Sequence, residues 1–142
     1  MIYTDLTKLA MKLCFERHRE QVDKCGIPYP FHPFHVAESM TDEKTTCAAL
    51  LHDILEDTDT TKDELLRLGF PEDIVEAVCM LTHADGVPYM DYVRQIKTNP
   101  IARAVKISDL SHNSDLSRLD TVSEKDLKRV EKYREALKIL TK

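Results

Sequence analysis

An all-α fold is predicted by three features of this 142-residue chain. The composition is poor in glycine and rich in Leu, Ala, Glu and Lys; apolar residues recur at helical spacing; and capping residues stand where such stretches begin. The first helix is expected over Thr4 to Val22, where Leu6, Leu9, Ala10, Leu13 and Cys14 keep one face apolar. Lys24 to Phe31 holds one glycine and two prolines and reads as a loop. Pro33 fits the first turn of a second helix, Pro33 to Met40. Thr41 or Asp42 caps a third helix that is expected to run to Glu56.

A short helix over Thr61 to Leu68 should stop at Gly69, and Pro71 opens the next, with Ile74, Val75, Val78, Cys79 and Leu81 as its apolar face. His83 to Pro88 reads as a turn and Tyr89 to Lys97 as a helix. Asn99-Pro100 starts a long helix to Ser114. The last helix, Ser123 to Thr141, opens Ser-x-x-Asp; its charged face is read as solvated, packed from behind by Val130, Tyr133, Leu137 and Leu140. Without a repeat, a low-complexity stretch or a linker, residues 1–142 are expected to form one domain.

A hydrophobic fraction of 42% with 32% charged residues excludes a disordered chain. A net charge of −5 argues against nucleic acid as a partner, so any phosphate recognition must come from a local patch. Membrane spans and a signal peptide are not expected, and a cytoplasmic location follows. Cys14, Cys25, Cys47 and Cys79 are scattered, with no C-x-x-C pair, and read as reduced thiols. The oligomeric state is not legible.

The chemistry concentrates in His52-Asp53-Ile54-Leu55-Glu56-Asp57, behind the apolar run Cys47 to Leu51. Four ionisable groups at the end of an apolar helix are costly to desolvate unless paired or bound to a cation, and acidic groups there also oppose the helix dipole. On a continuous helix His52 would share a side with Glu56, and Asp53 with Asp57, so two residues could hold a metal while the next turn handles a proton. A second clue is the helix face Lys106, Asp109, His112 and Asn113, and a third is His32, next to Pro33. Together His32, His52, Asp53 and Asp109 offer two imidazoles and two carboxylates, a set suited to one divalent ion of Mn, Fe or Zn with positions left for water and a phosphate oxygen.

These segments, His32-Pro33-x-x-Val36-Ala37, Ala48-Ala49-Leu50-Leu51-His52-Asp53-x-x-Glu56-Asp57-Thr58 and Lys106-x-x-Asp109-x-x-His112-Asn113, resemble the HD-domain phosphohydrolases, a family of helical bundles. Within it they resemble the hydrolase domain of RelA/SpoT homologues and the small stand-alone alarmone hydrolases, over roughly residues 5 to 120. The resemblance implies manganese held by His32, His52, Asp53 and Asp109, water positioned and activated by Glu56 and Asp57, and a nucleotide touched by Asn113. It implies removal of pyrophosphate from the 3′ position of guanosine tetra- or pentaphosphate; a synthetase half has no room here. An acidic pocket repels polyphosphate, so nearby cations must reverse the field, and Lys24 and Lys106 are the candidates.

Three positions depart from the pattern. Asp23 stands where an arginine is usual, and Leu110 and Asp115 replace basic residues of Asp-Arg-x-His-Asn-Met-Arg. Another nucleotide or small phosphoester therefore stays open as substrate, as does a non-catalytic nucleotide sensor. Among the remaining aromatic and imidazole groups, His112 is read as orienting a neighbour, His35 as a packing or surface group, and His18 and His83 as surface groups. Tyr29 and Phe31 could line a base pocket but more simply close the core.

Overall fold

The computed structural model describes residues 1–142 and contains nine α-helices, one 3₁₀ turn and no strand. The helices are α1 (Asp5–His18), α2 (Phe31–Glu38), α3 (Glu43–Leu51), α4 (Ile54–Asp57), α5 (Lys62–Arg67), α6 (Glu72–Leu81), α7 (Tyr89–Lys97), α8 (Pro100–Asn113) and α9 (Glu124–Thr141), with the 3₁₀ turn at Leu116–Arg118. The all-α expectation holds.

Helix α3 is the centre of the bundle. Thr46 to Leu51 are all buried, so beyond its first turn this helix has no solvent face, and α1, α2, α6 and α8 pack around it. Cys47, Ala48 and Ala49 are small enough to admit neighbouring backbones, while Leu50 and Leu51 fill the space on either side. One cluster of 26 buried residues runs from Ala10 to Leu140. Replacing Leu50, which is fully buried, by alanine is expected to cost about 3 kcal/mol of stability, read from the urea midpoint; a loss below about 1 kcal/mol would contradict this packing.

Helix starts follow the caps: Thr4 and Ser123 form reciprocal capping boxes, and Asp42, Thr61 and Asn99 each accept a backbone N–H. Helix α9 lies on α7 and α8 through the buried Val130, Ala136 and Leu140, with Tyr133 and Leu137 half-buried beside them. Arg17 donates to both carboxylate oxygens of Glu64 and to Thr60, which ties α1 to α5 and fixes the chain leaving α4.

Three of the differences from the expected boundaries shape the cleft described below. Helix α1 ends at His18, four residues early. Asp23 offers the backbone an alternative to helix: its Oδ1 accepts from Cys25 N and Ile27 N, and Gly26, at φ 78°, closes the turn. Helix α2 starts at Phe31, so His32 sits inside its first turn; Pro33 is still tolerated there, because the N–H it lacks has no helical partner. The third predicted helix breaks. It stops at Leu51, Asp53 turns to φ −105°, ψ 1°, and Ile54 to Asp57 form a separate turn. No helix is long and apolar enough to cross a membrane.

Candidate metal centre and cleft

The break after Leu51 corrects the expected pairing of His52 with Glu56 and of Asp53 with Asp57 on one continuous helix face. It turns Asp53 toward the first turn of α2 and the middle of α8. Asp53 Oδ2 lies 3.0 Å from His52 Nε2 and 3.9 Å from His32 Nε2. Asp109 Oδ1 lies 2.8 Å from His32 Nε2 and 3.4 Å from His52 Nε2. His32, His52 and Asp109 have ligating atoms within 4.8 Å of one another, and all three are buried. The fourth expected ligand, Asp53, adjoins that group and accepts a short hydrogen bond from the Tyr29 hydroxyl.

His52 carries the strongest sign of a cation. Its Nδ1 donates to Ala49 O at 2.6 Å, which fixes the tautomer and leaves a lone pair on Nε2. Nε2 is buried with no hydrogen-bond partner, although two carboxylate oxygens lie within 3.4 Å. A lone pair facing two carboxylates is repulsive in a desolvated site unless a cation stands among them. The donor set of two imidazoles and two carboxylates therefore fits a divalent ion. With protons in place of the ion, burial disfavours a charged His52, but Asp53 and Asp109 outweigh it and hold the imidazole well above its usual value. Burial likewise opposes the charge on Asp53, yet His52 brings that carboxyl down to about 2.

Supporting side chains surround the cluster. His32 Nδ1 meets His112 Nδ1 at 2.7 Å, and the two rings stack. Burial, then His32 and Arg118, push His112 down to about 4, so a neutral ring accepts the proton that orients His32. Lys106 Nζ donates to Asp109 Oδ2 at 3.0 Å and Asn113 Nδ2 to Asp109 Oδ1 at 3.0 Å. Both residues also line the cleft, so the positions expected to meet substrate also hold a carboxylate of the cluster. Burial opposes the charge on Lys106, but Asp109 keeps it well above its usual value.

A cleft of about 480 Å³ opens in front of the cluster. Glu56 and Asp57 stand on one wall. Glu56 Oε1 accepts from His83 N at 2.9 Å, and Asp57 O accepts from Gln21 Nε2 at 2.9 Å, so both residues are tied to segments outside their own short turn. Burial, then Asp53 and Glu56, raise the Asp57 carboxyl above its usual value. Lys24 also lines the cleft, joined by Arg118, Arg129 and Tyr133. Sequence reasoning missed these three as cleft residues: Arg129 lies on the face read as solvated, Tyr133, one helical turn on, is read only as a packing residue, and Arg118 sits in a turn that carries no periodic signal.

Several minor expectations change. His18 is fully buried rather than a surface group; its Nδ1 meets Gln21 Oε1 at 2.9 Å and its ring packs on Tyr29. His83 is half-buried against Tyr92. Tyr29 lines the cleft, while Phe31 is 64% exposed and neither lines the cleft nor closes the core. Of the three departures from the family pattern, Asp23 and Asp115 face the cleft, whereas Leu110 is buried in the core and cannot touch a ligand there.

Residues 10–138 match the HD domain family. A guanosine-3′,5′-bis(diphosphate) 3′-pyrophosphohydrolase of Aquifex aeolicus is 40% identical over 84 residues, 56% of this chain and 12% of that protein. The mouse guanosine-3′,5′-bis(diphosphate) 3′-pyrophosphohydrolase MESH1 is 37% identical over 116 residues, 72% of this chain and 64% of that protein. The chain thus spans less than two thirds of either relative. A solved structure of a metazoan orthologue of SpoT that hydrolyzes ppGpp superposes with a TM-score of 0.77 at 22% identity, covering 99% of this chain and 88% of that one, which is a likeness of fold.

Proposed function

The chain belongs to the HD domain family, and from that premise we propose that it is a metal-dependent phosphohydrolase of a small nucleotide, with guanosine-3′,5′-bis(diphosphate) 3′-pyrophosphohydrolase as the specific activity. The observation that carries the reading is the unpartnered, tautomer-fixed Nε2 of His52 among His32, Asp53 and Asp109. These four residues hold one divalent ion, manganese in this proposal. Bound there, such an ion supplies Lewis acidity toward a phosphoryl oxygen and lowers the cost of deprotonating water.

The chain's own groups do the rest. His112 and Ala49 O set the two imidazole tautomers; Tyr29 holds Asp53; Lys106 and Asn113 hold Asp109. Glu56, anchored through one oxygen, has its second oxygen left to orient water and accept its proton, and Asp57 next to it supports the same step. Lys106, with donors beyond the one given to Asp109, and Lys24, Arg118 and Arg129 at the rim draw in a polyanion that the acidic end alone would repel. Asn113, which lines the cleft beside Asp109, meets the nucleotide. A small-molecule partner and a cytoplasmic location go with this reading.

A second reading, another phosphorylated nucleotide or small phosphoester, is favoured by Asp23 and Asp115, which place negative charge on the cleft wall. Release of phosphate and pyrophosphate from a panel separates the two. The panel holds the guanosine alarmones, nucleoside mono- and triphosphates and 3′-phosphorylated nucleotides, assayed with added Mn²⁺. Pyrophosphate from the alarmones is the expected result. Activity confined to another nucleotide would retain the centre and discard the alarmone, and no turnover by metal-loaded protein would leave a nucleotide sensor.

A further inference from the structure

Beside the candidate metal centre the cleft is lined by Lys24, Arg118 and Arg129 but also by Asp23 and Asp115. Arg118 Nη1 donates to Asp23 Oδ2 at 3.0 Å, joining two cleft residues 95 apart in the chain. Asp23 cannot swing away, because its other oxygen accepts from Cys25 N and Ile27 N. Arg118 has little else to hold it: its Nε is buried without a partner. Side-chain exposures of 23% and 16% put the pair in a partly desolvated wall, where a unit charge acts more strongly than in water. Lys24 stands beside Asp23 in sequence and lines the cleft, as does Arg129, which is itself paired with Asp126 at 2.8 Å.

We propose that the Asp23–Arg118 pair is a charge selector: Asp23 cancels one of the cations that line the cleft besides Lys106 and so limits how many phosphates a nucleotide can carry, apart from the reacting one, and still bind well. The inference rests on the reading that a nucleotide fills this cleft with its reacting phosphate at the His52 end. Selectivity is then a difference set by an unfavourable element as well as by attractive ones. Neutralising Asp23 frees Arg118 and adds one positive charge to the cleft lining. Removing Arg118 leaves Asp23 facing the ligand and subtracts one. The two changes break the same ion pair but move charge preference in opposite directions, whereas a pair acting only as a staple between the walls would give losses of the same sign.

The test uses the whole 142-residue chain, Mn²⁺-loaded, and a ladder of guanosine 3′-phosphates bearing zero, one or two phosphates on the 5′ carbon, with Kd read by calorimetry at about 0.1 M salt. Asp23→Asn keeps an oxygen for the Cys25 and Ile27 amides, so the turn is retained. Its Kd ratio between the first and last member of the ladder is expected to move about tenfold in favour of the more charged ligand, and that of Arg118→Gln about tenfold the other way. Shifts of the same sign, or ratios within about twofold of wild type, would overturn the selector while leaving the nucleotide reading intact. Failure of wild-type protein to bind any member of the ladder would overturn both.

Discussion

Replacing His52 by alanine is expected to remove bound metal and to lower turnover on the order of a thousandfold or more, the loss that follows when several kcal/mol of Lewis-acid stabilisation disappear. The size of the effect comes from the geometry of Nε2. It is the one buried imidazole nitrogen in the cluster without a partner, held in place by the 2.6 Å bond from Nδ1 to Ala49 O. Alanine deletes that lone pair and leaves the half-buried Asp53 and the buried Asp109 compensated only by Tyr29, Lys106, Asn113 and His32. Metal content after dialysis, measured beside pyrophosphate release, checks both halves. A variant that keeps one ion per chain and normal turnover would show that His52 is a structural core histidine and that the centre is built otherwise.

How legible the centre was depended on whether its geometry is local. The face formed by Lys106, Asp109, His112 and Asn113 could be read from spacing alone, because α8 runs unbroken from Pro100 to Asn113 and three to four residues make one turn. The same argument failed across His52 to Asp57. There the backbone leaves the helix at Asp53, whose own carboxylate is held by Tyr29, a residue 24 positions away. A period carries no trace of contacts made at such a separation. His18 was misread for a different reason, since it continues the Ala10, Cys14 series at four-residue steps and its burial follows from that periodicity. Arg118, Arg129 and Tyr133 enter the cleft only because α9 folds back across α8, which no local pattern encodes.

Glu56→Ala separates an enzyme from a binding module. Turnover should fall about 10²- to 10⁴-fold, the range for loss of a positioned general base, while the affinities for Mn²⁺ and for the alarmone stay within about threefold of wild type. Alanine alone leaves an ambiguity, because Glu56 also anchors the turn before α7 through His83 N. Glu56→Gln resolves it. Glutamine keeps an oxygen to accept from His83 N and so preserves the wall, but it cannot take a proton. If both variants lose turnover equally, the carboxylate acts on water and the anchoring bond is incidental. If glutamine restores wild-type rates, Glu56 serves only to place His83, and the base must be sought at Asp57, whose carboxyl is already raised by burial and by its two acidic neighbours. Such a raised carboxyl is better matched to accepting a proton near neutrality than one at its ordinary value, so Asp57→Asn would then carry the large loss. Unchanged turnover in all three variants would remove both residues from the chemistry, leaving the four-residue centre without a proton acceptor from this chain.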